Sequence, residues 1–121
     1  MTPEEIKLKR TESVLKEILP EAFATLDDPR INRLSVNEVV CSRGRYDARV
    51  YLDRAGMNEA EQGEALRQLR KVAAHLTTYV RDSEGWYRAP KFTFEFDDQL
   101  DRISRMEELF AQISSAKKDK S

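Results

Sequence analysis

One cysteine, Cys41, stands in the whole chain, so no disulfide can form within it, and a reducing compartment is its natural home. The single histidine, His75, is equally alone. A Ser-His-Asp or Cys-His arrangement would have to use it, yet it lies far in sequence from Cys41 and no motif frames it. The four glycines make neither GxGxxG nor a P-loop, so no phosphate-cradling turn is written here. No apolar run approaches the roughly 18 residues of a membrane helix. No basic-then-apolar leader opens the sequence either. The expectation is a cytoplasmic, non-enzymatic protein with no catalytic residues, no metal, no cofactor and no membrane partner.

What is present is charge. Charged residues make up 36% of the 121 and hydrophobic ones 40%, which suits one soluble domain with a real core. The net charge is only −1, which excludes a protein coated with nucleic-acid-binding cations but leaves room for a local patch. Such a patch exists: residues 65–91 hold six Lys/Arg and two Asp/Glu, while the segments on either side of it are net acidic.

The start, TPEEIKLKRTESVLKEIL, predicts a helix capped by Thr2, with Pro3 in its first position and Glu5 completing a capping box. Ile6, Val14, Leu15, Ile18 and Leu19 form its apolar stripe, and Pro20 is expected to bend or end it. Asp27-Asp28-Pro29-Arg30 reads as loop. LSVNEVVC (34–41) and YDARVYLD (46–53) are two strands joined by Ser42-Arg43-Gly44-Arg45, a hairpin with Arg43 and Arg45 at its tip. Asn58 caps a long helix reaching about Asp82, with Leu66, Leu69, Ala73, Leu76 and Val80 as its stripe. A strand follows Pro90, and a last helix, capped by Asp98, carries Leu100, Ile103, Met106, Leu109, Phe110 and Ile113 on its apolar side.

The order predicts an α+β fold: one three-stranded sheet with helices on one face, plus a C-terminal helix. Residues 1–115 form the domain, and 116–121 form a flexible tail too polar to fold alone. Within it, Phe92, Phe94 and Phe96 alternate strictly and share one sheet face. Aromatic stripes of this kind can stack bases. Here the opposite-face neighbours include Glu95, a poor companion for phosphates, and Ala48, Val50 and Leu52 match the stripe on the hairpin. The stripe therefore reads as core.

The basic arc of the long helix is the main positive signal. At about 100° per residue, Arg67, Arg70, Lys71 and Arg81 fall together, away from the apolar stripe and beside Ala74 and Thr78. Most helical charge runs are solvated faces. This one lacks acidic neighbours between Leu66 and Arg81, and its small residues admit the close approach of a phosphate backbone. The acidic group Asp97-Asp98-Asp101 reads as a helix N-terminus rather than a metal site.

The chain resembles the ribosome-binding factor A family of bacterial small-subunit assembly factors. The likeness rests on Asp28-Pro29-Arg30, on Ser42 with Ala48-x-Val50-Tyr51, and on Pro90-x-Phe92-x-Phe94-x-x-Asp97. It implies a type II KH-like domain without a GxxG loop. It further implies binding to free 30S subunits or their precursors through 16S rRNA, maturation of the 16S 5′ end, and a part in cold adaptation. The sequence departs from the family pattern in four places. Val72-Ala73-Ala74 replaces Ala-x-Gly at the helix kink, and Thr77 replaces an arginine. Trp86-Tyr87 stand for Leu-Arg, and Gly44 stands for the hairpin aspartate. Arg81 and Arg88 then serve as candidate replacement cations. The candidate RNA-binding set is Arg67, Arg70, Lys71, Arg81, Arg88, Arg43 and Arg45, on a monomer. Two other classes compete with this reading. One is a protein–protein interaction module anchored by Trp86 and Tyr87, and the other a small hydrolase or isomerase using Glu95, Asp97 or Asp47.

Overall fold

Thr2 accepts a hydrogen bond from the Glu5 N–H at 3.2 Å, and its own N–H donates to the Glu5 carboxylate at 3.3 Å. This capping box starts α1, Pro3–Ala24. The computed structural model describes residues 2–42, 44, 46–54, 56–97, 101 and 103–111. After α1 come β1 (Val36–Cys41), β2 (Asp47–Asp53), α2 (Glu59–Glu84) and β3 (Lys91–Asp97). Residues 101 and 103–111 are helical and are called α3. The chain is thus the expected α+β fold.

α1 does not end at Pro20 but continues through it to Ala24. An interior proline costs about 3 kcal/mol, because the carbonyl four residues back loses its donor. Phe23 lies beyond it and is fully buried, which returns a comparable amount, up to about 3 kcal/mol. The buried Ala22 and the Thr25 N–H and hydroxyl, both donating to the Ala22 carbonyl, then close the last turn. The stripe is also rotated from the expected one: Thr11, Leu15, Ile18, Leu19, Ala22 and Phe23 are buried, while Ile6 is 40% exposed. Thr11 tolerates burial because its hydroxyl donates to the Lys7 carbonyl at 2.9 Å.

The sheet order is β1-β2-β3. β1 and β2 pair antiparallel as a hairpin, with Cys41 opposite Ala48 and Val39 opposite Val50. β2 and β3 pair parallel, from Asp47↔Lys91 to Asp53↔Asp97, so α2 is the crossover that parallel pairing requires. Ala48, Val50, Leu52 and the Phe stripe face α1 and α2. Phe92 is buried and Phe94 and Phe96 are half-buried, and Phe94 lies 6.1 Å from Phe23 and 6.2 Å from Phe92 between ring centroids. The stripe is core, as read from the sequence. On the outer edge of β1, the Glu12 carboxylate of α1 accepts the Cys41 N–H at 2.8 Å, blunting an edge donor.

The Asp28-Pro29-Arg30 motif is a self-closed turn. Asp28 accepts the Arg30 backbone N–H and two guanidinium N–H groups, each at 3.0 Å. The Arg30 side chain, then its backbone N–H, holds the Asp28 carboxyl below the usual carboxylate range. This closure is therefore complete above the ordinary carboxylate pKa and is lost as pH falls through the lowered value. It delivers the fully buried Ile31 to the core.

The other sheet face is only partly solvated. Val40, Arg49, Thr93 and Glu95 are exposed, but Tyr51 and Asp97 are covered by α3. The Arg105 guanidinium lies 3.7 Å from the Tyr51 ring centroid and pairs with Glu38 at 2.9 Å and Asp97 at 2.6 Å. Asn37, at a bulge in β1, donates to Asp97 at 2.8 Å, and Arg54 pairs with Asp101 at 3.0 Å. Asp97, which ends β3 and is 2% exposed, and Asp101 each serve as a counter-ion for an arginine. The expected cap, Asp98, lies outside the described residues, as do Leu100 and Ile113. The apolar side of α3 points away from the sheet, with Ile103, Met106, Leu109 and Phe110 all 44–61% exposed. Arg105→Ala is expected to cost about 1–3 kcal/mol, because it strips a buried carboxylate of its charged partner. Urea unfolding measures this, and Asp97→Asn in the same background should recover part of the loss.

Candidate nucleic-acid interface

Asn58 accepts the Glu61 N–H at 2.8 Å and donates its own N–H to the Glu61 carboxylate at 3.1 Å, starting α2. Gly85 ends it at φ +66°, a left-handed conformation that suits glycine, and the Trp86 N–H donates to the Arg81 carbonyl at 3.0 Å. Between these caps the helix is unbroken through Val72-Ala73-Ala74 and Thr77. The Thr77 hydroxyl donates to the Ala73 carbonyl at 3.1 Å.

Burial of Ala65, Leu69, Leu76 and Val80 against the sheet fixes the rotation of α2 about its axis. Residues 67, 71, 74, 78 and 81 then fall on the opposite side at about 100° per residue. All of them, and Arg70, are exposed. The structure therefore brings Arg67, Arg70, Lys71 and Arg81 onto one solvent-facing arc. His75 is exposed on the same side. Arg67, Arg70 and Lys71 form no ion pair among the described residues, whereas Arg81 meets Asp82 at 3.3 Å in an exposed pair of little energetic worth.

Arg70 lies at the margin of the arc and lines a cavity of about 270 Å³ together with Lys91, Phe92 and Phe94 at the free edge of β3. Lys91 is a cation that helical spacing could not find. The signal available was its membership of the basic segment 65–91, and only the packing of α2 on β3 places it beside Arg70. Arg88 stands apart from the arc, its guanidinium 4.5 Å from the Tyr46 ring centroid at the turn of the hairpin. Arg43 and Arg45 lie outside the described residues.

The carboxylates considered for hydrolysis do not converge. Asp47 opens β2 opposite Lys91, while Asp97 ends β3, six residues along the sheet or roughly 20 Å at strand rise. Glu95 is exposed, and Asp97 is engaged by Arg105 and Asn37. Among the described residues there is no group of three His, Cys, Asp or Glu that could hold a metal, and no helix long and apolar enough to cross a membrane.

A sequence model described as ribosome-binding factor A matches residues 7–110. The chain belongs to the ribosome-binding factor A family. A relative from Campylobacter jejuni is 49% identical over 120 residues, covering 99% of this chain and 98% of its own length. One from Helicobacter pylori strain J99 is 34% identical over 109 residues, covering 90% and 93%. In structure, the chain is similar to the crystal structure of ribosome-binding factor A from Thermus thermophilus. The TM-score is 0.64 at 28% identity, over 74% of this chain and 93% of that one. It is also similar to a homology model of the Thermus thermophilus factor fitted into a cryo-EM map of a 30S complex, with TM-score 0.57 at 28% identity, over 69% and 87%. The family is non-catalytic.

Proposed function

We propose that this protein binds free 30S subunits or their precursors through 16S rRNA, supporting maturation of the 16S 5′ end and small-subunit biogenesis. The observation that carries this reading is the solvent-facing arc of Arg67, Arg70 and Lys71 on α2, in a chain of this family. Fixed cations along a rigid helix, without groups to read base edges, suit a phosphate backbone. A family member fitted into a map of a 30S complex supports the same partner. On this reading the protein works as a monomer in the cytoplasm and matters most in the cold. The folded unit is residues 1–115, and the tail 116–121 has no part in binding.

Co-sedimentation with 30S subunits, 70S ribosomes and polysomes tests the reading. The protein is expected with free small subunits and nearly absent from polysomes, and removal of 116–121 should leave that profile unchanged. Equal recovery in polysomes would sink it. Cells lacking the protein should accumulate 16S precursor with an unprocessed 5′ end at low temperature, and a normal rRNA profile there would remove the assembly role.

A further inference from the structure

We propose that the connection from α2 to β3 is a stacking site for one unpaired nucleobase of single-stranded RNA, with the Tyr87 ring as platform and Arg88 beside it. The proposal rests on the RNA-binding reading above, but on a different part of the surface from the basic arc. Gly85 turns the chain off α2, and the hydrogen bond from Trp86 N–H to the Arg81 carbonyl fixes the next residue. Trp86 packs half-buried against the core, and Ala89 and Pro90 are buried at the far end of the connection. Held at both ends, the connection presents Tyr87 with its side chain entirely in solvent, 100% exposed. A full aromatic ring in water contributes nothing to the fold. It is the kind of surface on which a base of any identity can lie.

Beside it is an open cavity of about 400 Å³, lined by Thr11, Gly44, Trp86, Tyr87, Arg88 and Pro90. Among the described residues its lining has one cation and no carboxylate, which favours a nucleotide over a basic peptide. Arg88 is held by its stack on the Tyr46 ring, 4.5 Å from the centroid. Gly44 leaves room for that arrangement, because a Cβ there would overlap the Tyr46 ring. Gly44, Tyr46 and Arg88 therefore belong to one construction. Arg81, the last cation of the arc, is one helical turn before Gly85, or about 6 Å along the axis. A strand whose phosphates follow the arc reaches the pocket with its next nucleotide.

Trp86 is the only tryptophan in the chain, so its fluorescence reports on this pocket alone. Titration of the full-length protein with a short oligouridylate is expected to quench it. Tyr87→Ala should weaken binding by about 5- to 150-fold, the range found for loss of one base–aromatic stack. Tyr87→Phe should restore affinity, because the π-face is kept. The salt dependence should be unchanged in Tyr87→Ala, since no phosphate contact is removed, whereas charge reversal on the arc flattens it. Unchanged affinity and quenching in Tyr87→Ala, with arc reversal still abolishing binding, would overturn the stacking site and leave the arc reading intact. Loss through Tyr87 with no effect of arc reversal would do the opposite. No quenching by the oligouridylate, together with loss of 30S association in Tyr87→Ala, would assign the ring to a protein contact and overturn the proposal.

Discussion

Arg67→Glu combined with Lys71→Glu is expected to abolish association with the small subunit while leaving the protein folded. Both side chains are exposed and lie across the helix from Leu69 and Leu76, so neither change touches the core. Glutamate is about as good a helix former as lysine or arginine. The new glutamate at 67 sits three residues from Glu64, a repulsion of about 0.2–0.5 kcal/mol. Binding is affected far more. Each phosphate contact contributes about 0.7–0.9 to the magnitude of the slope of log affinity against log salt, so losing two should flatten it by about 1.4–1.8. Reversal of Lys117 and Lys118, in the polar tail, should change little. Affinity and slope both retained in the α2 variant would make the arc an ordinary solvated face.

The largest effect on stability should come from Phe23→Ala, at about 3–5 kcal/mol. Phe23 is fully buried, contacts Phe94, and is the residue that draws α1 past Pro20. Against a total of about 5–15 kcal/mol for a domain this approaches unfolding. Phe94→Ala should cost less, because that ring is only half-buried. Urea denaturation of both variants checks the order. A Phe94→Ala protein as stable as the parent but defective in RNA binding would mean the stripe meets bases after all.

Much of this was legible in local sequence. The capping box at Thr2, the cap at Asn58, the alternation of the hairpin and the burial of Leu69, Leu76 and Val80 on α2 each depend on local spacing. They came out as read, although Ala65 is buried where Leu66 and Ala73 were expected. The departures all involve long-range contacts. Pro20 looks like a stop only until Phe23 finds Phe94. The last helix looks like a core helix, because its apolar spacing is regular, yet Arg105 turns its polar side to the sheet. The reason is three partners from β1, β2 and β3, namely Glu38, Tyr51 and Asp97. Of the site, the arc was readable because helical geometry alone defines it. The pairing of Arg70 with Lys91, and the cavity joining Gly44 to Tyr87, require α2 and β3 to be docked first.

The parallel register of β2 and β3 also bears on how the chain acquires its shape. Asp47 meets Lys91 only after the whole of α2 has been threaded between them, so this half of the sheet closes a long loop before any contact rewards it. The β1–β2 hairpin needs only a short turn and can form early. Docking of α2 and zipping of β3 then become one late, cooperative event. The Tyr87 pocket and the cavity shared by Arg70 and Lys91 are built from elements that meet only in that event, so neither exists until folding is nearly complete. A nascent chain can form the cationic arc once α2 is helical, but it completes the surface beside it only as a finished protein.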